Sequence, residues 1–178
     1  MISMENKLYE LARKRRSVRR YAEDEISDEI LDEILKVALT APSSWGGHPI
    51  EFVVVKDKQM IHKIARCKAM GAAPLLQADI TIVVAANCSG CELWIEDASV
   101  ASSYILLASE QYNIGACWIH IRNRDGKFLT ADEEIRNLLG IPENYSVLNV
   151  IALGQKGEKK PAYTDKDLCR KNIHRERF

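Results

Sequence analysis

Two short runs, Phe52-Val53-Val54-Val55 and Ile80-Thr81-Ile82-Val83-Val84-Ala85, are apolar at nearly every position and rich in β-branched side chains. A strand with one wet face alternates apolar and polar residues, so continuous runs like these belong to strands covered on both faces. The chain must therefore supply helices to both sides of a central sheet, and helical patterns do alternate with the strands. Leu8, Leu11 and Ala12 form the stripe of a short helix behind Ser3 as a possible N-cap. Ser27 caps a second helix that opens with Asp28 and Glu29, buries Ile30, Leu31, Ile34, Leu35 and Ala38, and ends before Pro42. Met60, Ile61, Ile64 and Ala65 mark a third helix between the two strands. From about Trp94 to Tyr112 the chain is small and apolar nearly all round, which places that helix in a core or a subunit interface, with Asn113 and Gly115 as its stop. Cys117 to Ile121 reads as a third strand and Val147 to Leu153 as a fourth. Between them Thr130 and Glu133 form a capping box for a helix ending at Gly140.

At 178 residues, 47% of them hydrophobic, the chain fits one domain, 1–178, with length enough for a real core. Residues 155–178 are polar and charged and read as a C-terminal extension that packs on the domain or on a partner subunit. No N-terminal stretch resembles a signal peptide, and no run approaches the ~20 apolar residues that span a bilayer. The expectation is a cytoplasmic protein with no membrane partner. Five cysteines, an odd number without a secretion signal, read as reduced thiols.

Between Arg13 and Arg20 six of eight residues are basic. Arg15, Ser17 and Arg19 offer planar bidentate donors and a hydroxyl, a set suited to a phosphomonoester. The alternative is a solvated basic turn balanced by Glu23-Asp24-Glu25. Lys plus Arg is 25 and Asp plus Glu is 25, a formal net charge of +0. Nucleic-acid binders draw affinity from a basic excess, so this balance favours a pocket for one small anion and no nucleic-acid partner. No Gly-x-Gly-x-x-Gly follows a strand, and there is no Walker sequence, His-Glu-x-x-His or Gly-x-Ser-x-Gly. Cys88 and Cys91 supply two ligands where a closed zinc site needs four, so no metal is expected, although their Cys-x-x-Cys spacing also admits redox sensing. With neither a nucleophile elbow nor a metal motif, a bound organic cofactor is the natural carrier of any chemistry.

Taken together, these segments resemble the nitroreductase family of FMN-dependent oxidoreductases. The resemblance rests on Arg15-Arg16-Ser17-Val18-Arg19 with Tyr21, and on Ala41-Pro42-Ser43-Ser44 with Pro49 and the strand at Phe52. It continues through Ile95-Glu96-Asp97-Ala98, Gly115-Ala116-Cys117-Trp118-Ile119, Leu139-Gly140-Ile141-Pro142 and Ala152-Leu153-Gly154, so nearly the full length is covered. It implies an α+β fold with a central, mainly antiparallel sheet flanked by helices, and an interlocked homodimer with two FMN sites at the interface. Arg15, Ser17 and Arg19, with Arg16 beside them, would hold the phosphate and ribityl end, completed by a tail residue, Lys160 or Arg170. Pro42, Ser43, Ser44 and Gly46 of the partner would line the flavin ring. Ala116, Cys117 and Trp118 would pass near its reactive edge, with Gly154 close by. The reductant would be NADH or NADPH, and hydride would pass through the flavin to a small organic acceptor such as a nitroaromatic or quinone by a ping-pong route.

Trp45 and His48 are the candidates for the substrate face, the former by stacking. Trp94 and Trp118 read as packing residues, and Cys117 as a buried small hydrophobe. Two departures from the family pattern fall near the flavin: Gly46 and His48 stand where many members carry Asn and Gln, and Gly154-Gln155-Lys156 replaces the usual Gly-Tyr-Pro. Other readings stay open: a dehalogenating or flavin-fragmenting branch of the family, or a flavin-binding module with little turnover.

Overall fold

A computed structural model describes residues 6–178; Ser3, proposed above as a cap, lies outside them. The first helix, α1 (Lys7–Lys14), is capped instead by Asn6, whose side chain accepts the Tyr9 N–H. The remaining helices are α2 (Asp28–Leu39), α3 (Lys58–Arg66), α4 (Trp94–Gln111) and α5 (Ala131–Leu139). Ser27 caps α2 as expected, and Thr130 and Glu133 form the full capping box on α5, which ends on left-handed Gly140. No helix among the described residues is long and apolar enough to cross a membrane.

The strands β1 (Ile50–Val55), β2 (Ile80–Asn87), β3 (Ile114–His120) and β4 (Tyr145–Gln155) form one sheet in the order β1-β2-β4-β3, antiparallel at every pairing. The architecture is α+β. Successive β2 side chains enter opposite cores, as the two-sided runs require. Val83 and Ala85 join Ile61, Ile64 and Ile135 under α3 and α5. Ile80, Ile82 and Val84 join Leu31, Ile34, Ala98 and Ile105 under α2 and α4. On α4, Ala98, Ala101, Ser102, Ile105 and Ala108 are buried within the chain, while Ser99, Val100, Ser103 and Leu107 remain at least partly open.

Gly115 was expected to stop α4, but the helix has already turned at Asn113, with φ 58°, and Gly115 lies inside β3. Its backbone is glycine for a different reason. Ser17 pairs with Ala116 beside β3, the Val18 N–H donates to the Ala116 carbonyl, and a Cβ on Gly115 would meet the Val18 side chain at 2.8 Å.

Candidate functional site

Two corners of this sheet gather the residues singled out above. At the open edge of β3 the chain leaves α1 in extended form, so alternate side chains face opposite ways. Val18 is buried against Gly115. The Arg16 guanidinium is engaged by the tail: it donates to the Pro161 carbonyl and lies 4.5 Å from the Tyr163 ring centre. Arg15, Ser17 and Arg19 are the other parity. Among the described residues neither the Arg15 guanidinium nor the Ser17 hydroxyl has a hydrogen-bond partner, and the Arg19 guanidinium makes only a long contact, 3.4 Å, to the Ser17 carbonyl.

The tail returns over this segment. Lys160 places its ammonium on the Ser17 carbonyl and 3.2 Å from Glu158. Glu158 in turn accepts the Arg19 N–H at 2.6 Å, and that bond holds its carboxyl below the usual carboxylate range. Tyr163 N–H donates to the Arg13 carbonyl, which fixes the return path. Of the two tail candidates, Lys160 reaches the cluster, while Arg170 sits exposed in the last helical turn with no bond to it. Tyr21 closes the corner from beneath. Its hydroxyl donates to the Val18 carbonyl at 2.8 Å, burial pushes its pKa up, and its ring lies where a Cβ on Gly154 would be, 2.8 Å away. Three cationic side chains and a free hydroxyl are a donor set that fits a phosphate group.

Along β3, Ala116 is buried and Trp118 half-buried on the α2/α4 side, whereas Cys117 points into the α3/α5 core. Burial pushes the Cys117 thiol up, as suits a packing residue. Trp94 packs on the same side as Trp118, with the Arg122 guanidinium 5.9 Å from its ring centre.

The second corner is the loop from Pro42 to Pro49. Asp97, in the first turn of α4, is only 5% exposed, and its Oδ1 accepts both the Ser44 N–H at 2.9 Å and the Ser44 hydroxyl at 2.8 Å. Ser43 Oγ accepts the His48 N–H. Between these anchors Trp45, Gly46 and His48 all take positive φ, at 55°, 65° and 44°. Two of the three are not glycine, so the loop is held in an unfavourable conformation by its anchors. Trp45 is fully exposed, at 101%. With Ser44, His48, Glu51 and the Cys88–Leu93 segment it lines a cavity of about 710 Å³. Across that cavity the Tyr145 hydroxyl donates to Glu51, which raises the phenol's pKa.

Asp97, Glu158 and Tyr21 were not assigned these roles from the sequence. Asp97 had a local signal, an acid in the first turn of a helix; Glu158 had none, because its partner is 139 residues away.

The corners are far apart. Ser17 lies outside β3, four strand spacings from β1, or about 19 Å across the sheet. Ala116 is level with Leu153 and Ile80, whereas Ile50 is level with Ala86, about 20 Å farther along the strands. One flavin mononucleotide cannot touch both corners of the same chain.

The Nitroreductase family model matches residues 12–88. The chain is 36% identical to a protein of Archaeoglobus fulgidus described as a candidate NADH dehydrogenase/NAD(P)H nitroreductase, over 92% of this chain and 94% of that protein. Among solved structures it is similar to an FMN-dependent nitroreductase from Clostridium difficile R20291, with a TM-score of 0.92 and 42% identity over 94% of this chain and 98% of that one. An iodotyrosine deiodinase of Thermotoga neapolitana is 24% identical over 88% of this chain and 92% of its own length.

Proposed function

This chain belongs to the nitroreductase family, and on that premise we propose that it is an FMN-dependent NAD(P)H oxidoreductase acting as a homodimer. The observation that carries the reading is the diagonal separation of the two corners. A phosphate grip on one chain and a ring-lining loop on a second chain can share one cofactor, and two copies related by a twofold axis make two complete sites. Val100 and Leu107 on the partly open side of α4, with the exposed Trp45, give such a partner apolar surface to cover.

In this reading Arg15, Arg19, Ser17 and Lys160 bind the phosphate by charge-assisted hydrogen bonds. The Pro42–Ser44 segment, fixed by Asp97, presents small groups to the flavin ring. FMN supplies the two-electron chemistry when bound. Trp45 and His48 border the open space in which NAD(P)H and then a small organic acceptor, nitroaromatic or quinone, bind in turn. The residues orient both partners and exclude water; no side chain is required as a nucleophile.

The test is direct. The purified protein is expected to carry flavin absorbance, to bleach on anaerobic addition of NADH or NADPH, and to recover on addition of a nitroaromatic or a quinone. Flavin that binds without bleaching would identify a storage module instead, and no flavin affinity would end the proposal. Sedimentation at micromolar concentration is expected to give a homodimer with an interface beyond about 2,000 Å². A flavin-loaded monomer would contradict the shared site. The likeness to the Thermotoga deiodinase favours one second reading, reductive removal of halide from an aromatic substrate. Halide release from iodotyrosine that outpaces nitroaromatic turnover would select it.

Gly46 gives a finer check. A Cβ there meets nothing within 4 Å, and Asn is the side chain that best tolerates a φ of 65°. Gly46→Asn is therefore expected to fold normally and, by adding an amide at the ring, to move the flavin midpoint potential by about 30 mV or more. His48 is placed to compete for the same role, so His48→Ala is measured beside it. Unchanged potentials throughout would remove this loop from the flavin.

A further inference from the structure

The wall of the loop cavity contains two thiols that the proposed function does not use. Cys88 and Cys91 bracket a turn at Ser89–Gly90, with Gly90 at φ 79°. The outer Cα atoms of a four-residue turn lie within about 7 Å, and disulfides span about 4.4–6.8 Å, so the pair can close without moving a strand. Both thiols are free and half-buried. Both border the cavity shared with Ser44, Trp45 and His48, which gives a small oxidant access. Cys67 and Cys117 are buried in the opposite core, and Cys169 is alone on the exposed tail.

The Cys91 thiol also faces Asp97 Oδ2 at 3.9 Å, while Oδ1 of the same carboxylate holds Ser44. Among the described residues Cys91 is the hydrogen-bond donor to that oxygen. We propose that Cys88 and Cys91 are an oxidisable dithiol, closed to an intramolecular disulfide by a small disulfide such as oxidised glutathione, and that closure loosens the Pro42–Pro49 loop.

The exchange balances as two displacements. One cysteine thiolate attacks the small disulfide and expels one thiol. The second thiolate attacks the resulting mixed disulfide and expels the other. The protein loses two hydrogens and the oxidant gains them. A disulfide sulfur has no proton to donate, so closure strips Oδ2 of its donor and leaves a buried carboxylate half-satisfied. With Oδ2 unpaired the carboxylate is free to turn, which weakens its hold on Ser44. The disulfide stands independently of the flavin; its consequence for flavin binding rests on the function proposed above.

The full-length protein is reduced, then exposed to oxidised glutathione, and read by peptide mass mapping and amide hydrogen exchange. The expected result is a peptide spanning residues 88–91 that is two hydrogens lighter, with exchange at Ser44 to His48 roughly tenfold faster and restored by dithiothreitol. Cys91→Ser, which keeps a hydroxyl donor for Asp97, and Cys88→Ser are each expected to abolish the oxidation response. Glutathione that remains as an open adduct on Cys88 or Cys91, or loop exchange that does not change after closure, would overturn the proposal.

Discussion

Replacing Arg15 or Arg19 by Ala is expected to weaken FMN binding roughly ten- to a hundredfold, from the loss of one charge-assisted contact worth about 1.5–3 kcal/mol. The prediction depends on the separation of parities along residues 15–19. Arg16 is held by the Pro161 carbonyl and the Tyr163 ring, so Arg16→Ala acts on FMN only through the tail that carries Lys160 and should cost less than loss of a direct contact. Fluorescence titration of apoprotein with FMN reads all three variants. Equal losses at Arg15, Arg16 and Arg19 would mean that the segment acts only as diffuse positive charge. Wild-type affinity at Arg15 and Arg19 would remove the phosphate from this corner.

Asp97→Ala is expected to destabilise the fold by about 1.5–3 kcal/mol, because one buried carboxylate oxygen receives both the N–H and the hydroxyl of Ser44. The loop's other anchors, Ser43 on the His48 N–H and the Pro49 carbonyl on the Asn87 N–H, lie toward its far end, so the loss falls on Ser44. Trp45 and His48 stand at positive φ, and without the anchor that strain is released. Asp97→Asn, which keeps an acceptor oxygen in nearly the same place, should lose less. Urea unfolding followed by far-ultraviolet dichroism gives the comparison. An Asp97→Ala variant within about 0.5 kcal/mol of wild type would show that the loop is not tied down by this residue.

Much of the fold was legible because its signals are local. The continuous runs at Phe52 and Ile80 required a sheet covered on both faces, α2 carries an apolar stripe behind its Ser27 cap, and α5 has a capping box and a glycine stop. Element limits were less legible. The third strand begins at Ile114, before the Cys117 expected from the sequence, since pairing with Gln155 and Gly154 extends it backward. Gly115 looked like a helix stop because glycine commonly is one; here it makes room for Val18, a neighbour 97 residues earlier that local pattern cannot reveal.

The candidate site divides in the same way. By itself, the sequence determined the density of guanidinium groups, the neutral overall charge that points to a small anion and the order of the motifs. Each is a property of side-chain chemistry or of spacing along a few residues. Only the tertiary structure decided that Lys160 and not Arg170 reaches that corner, that Arg16 turns to the tail, that Glu158 stands among the cations and that Asp97 fastens Ser44. It also set the Arg15–Arg19 segment and the Pro42–Pro49 loop at opposite corners of the sheet. Those are contacts between segments 50 to 150 residues apart, fixed by strand order and register, and chain spacing carries no information about which distant groups a folded sheet brings within hydrogen-bond reach.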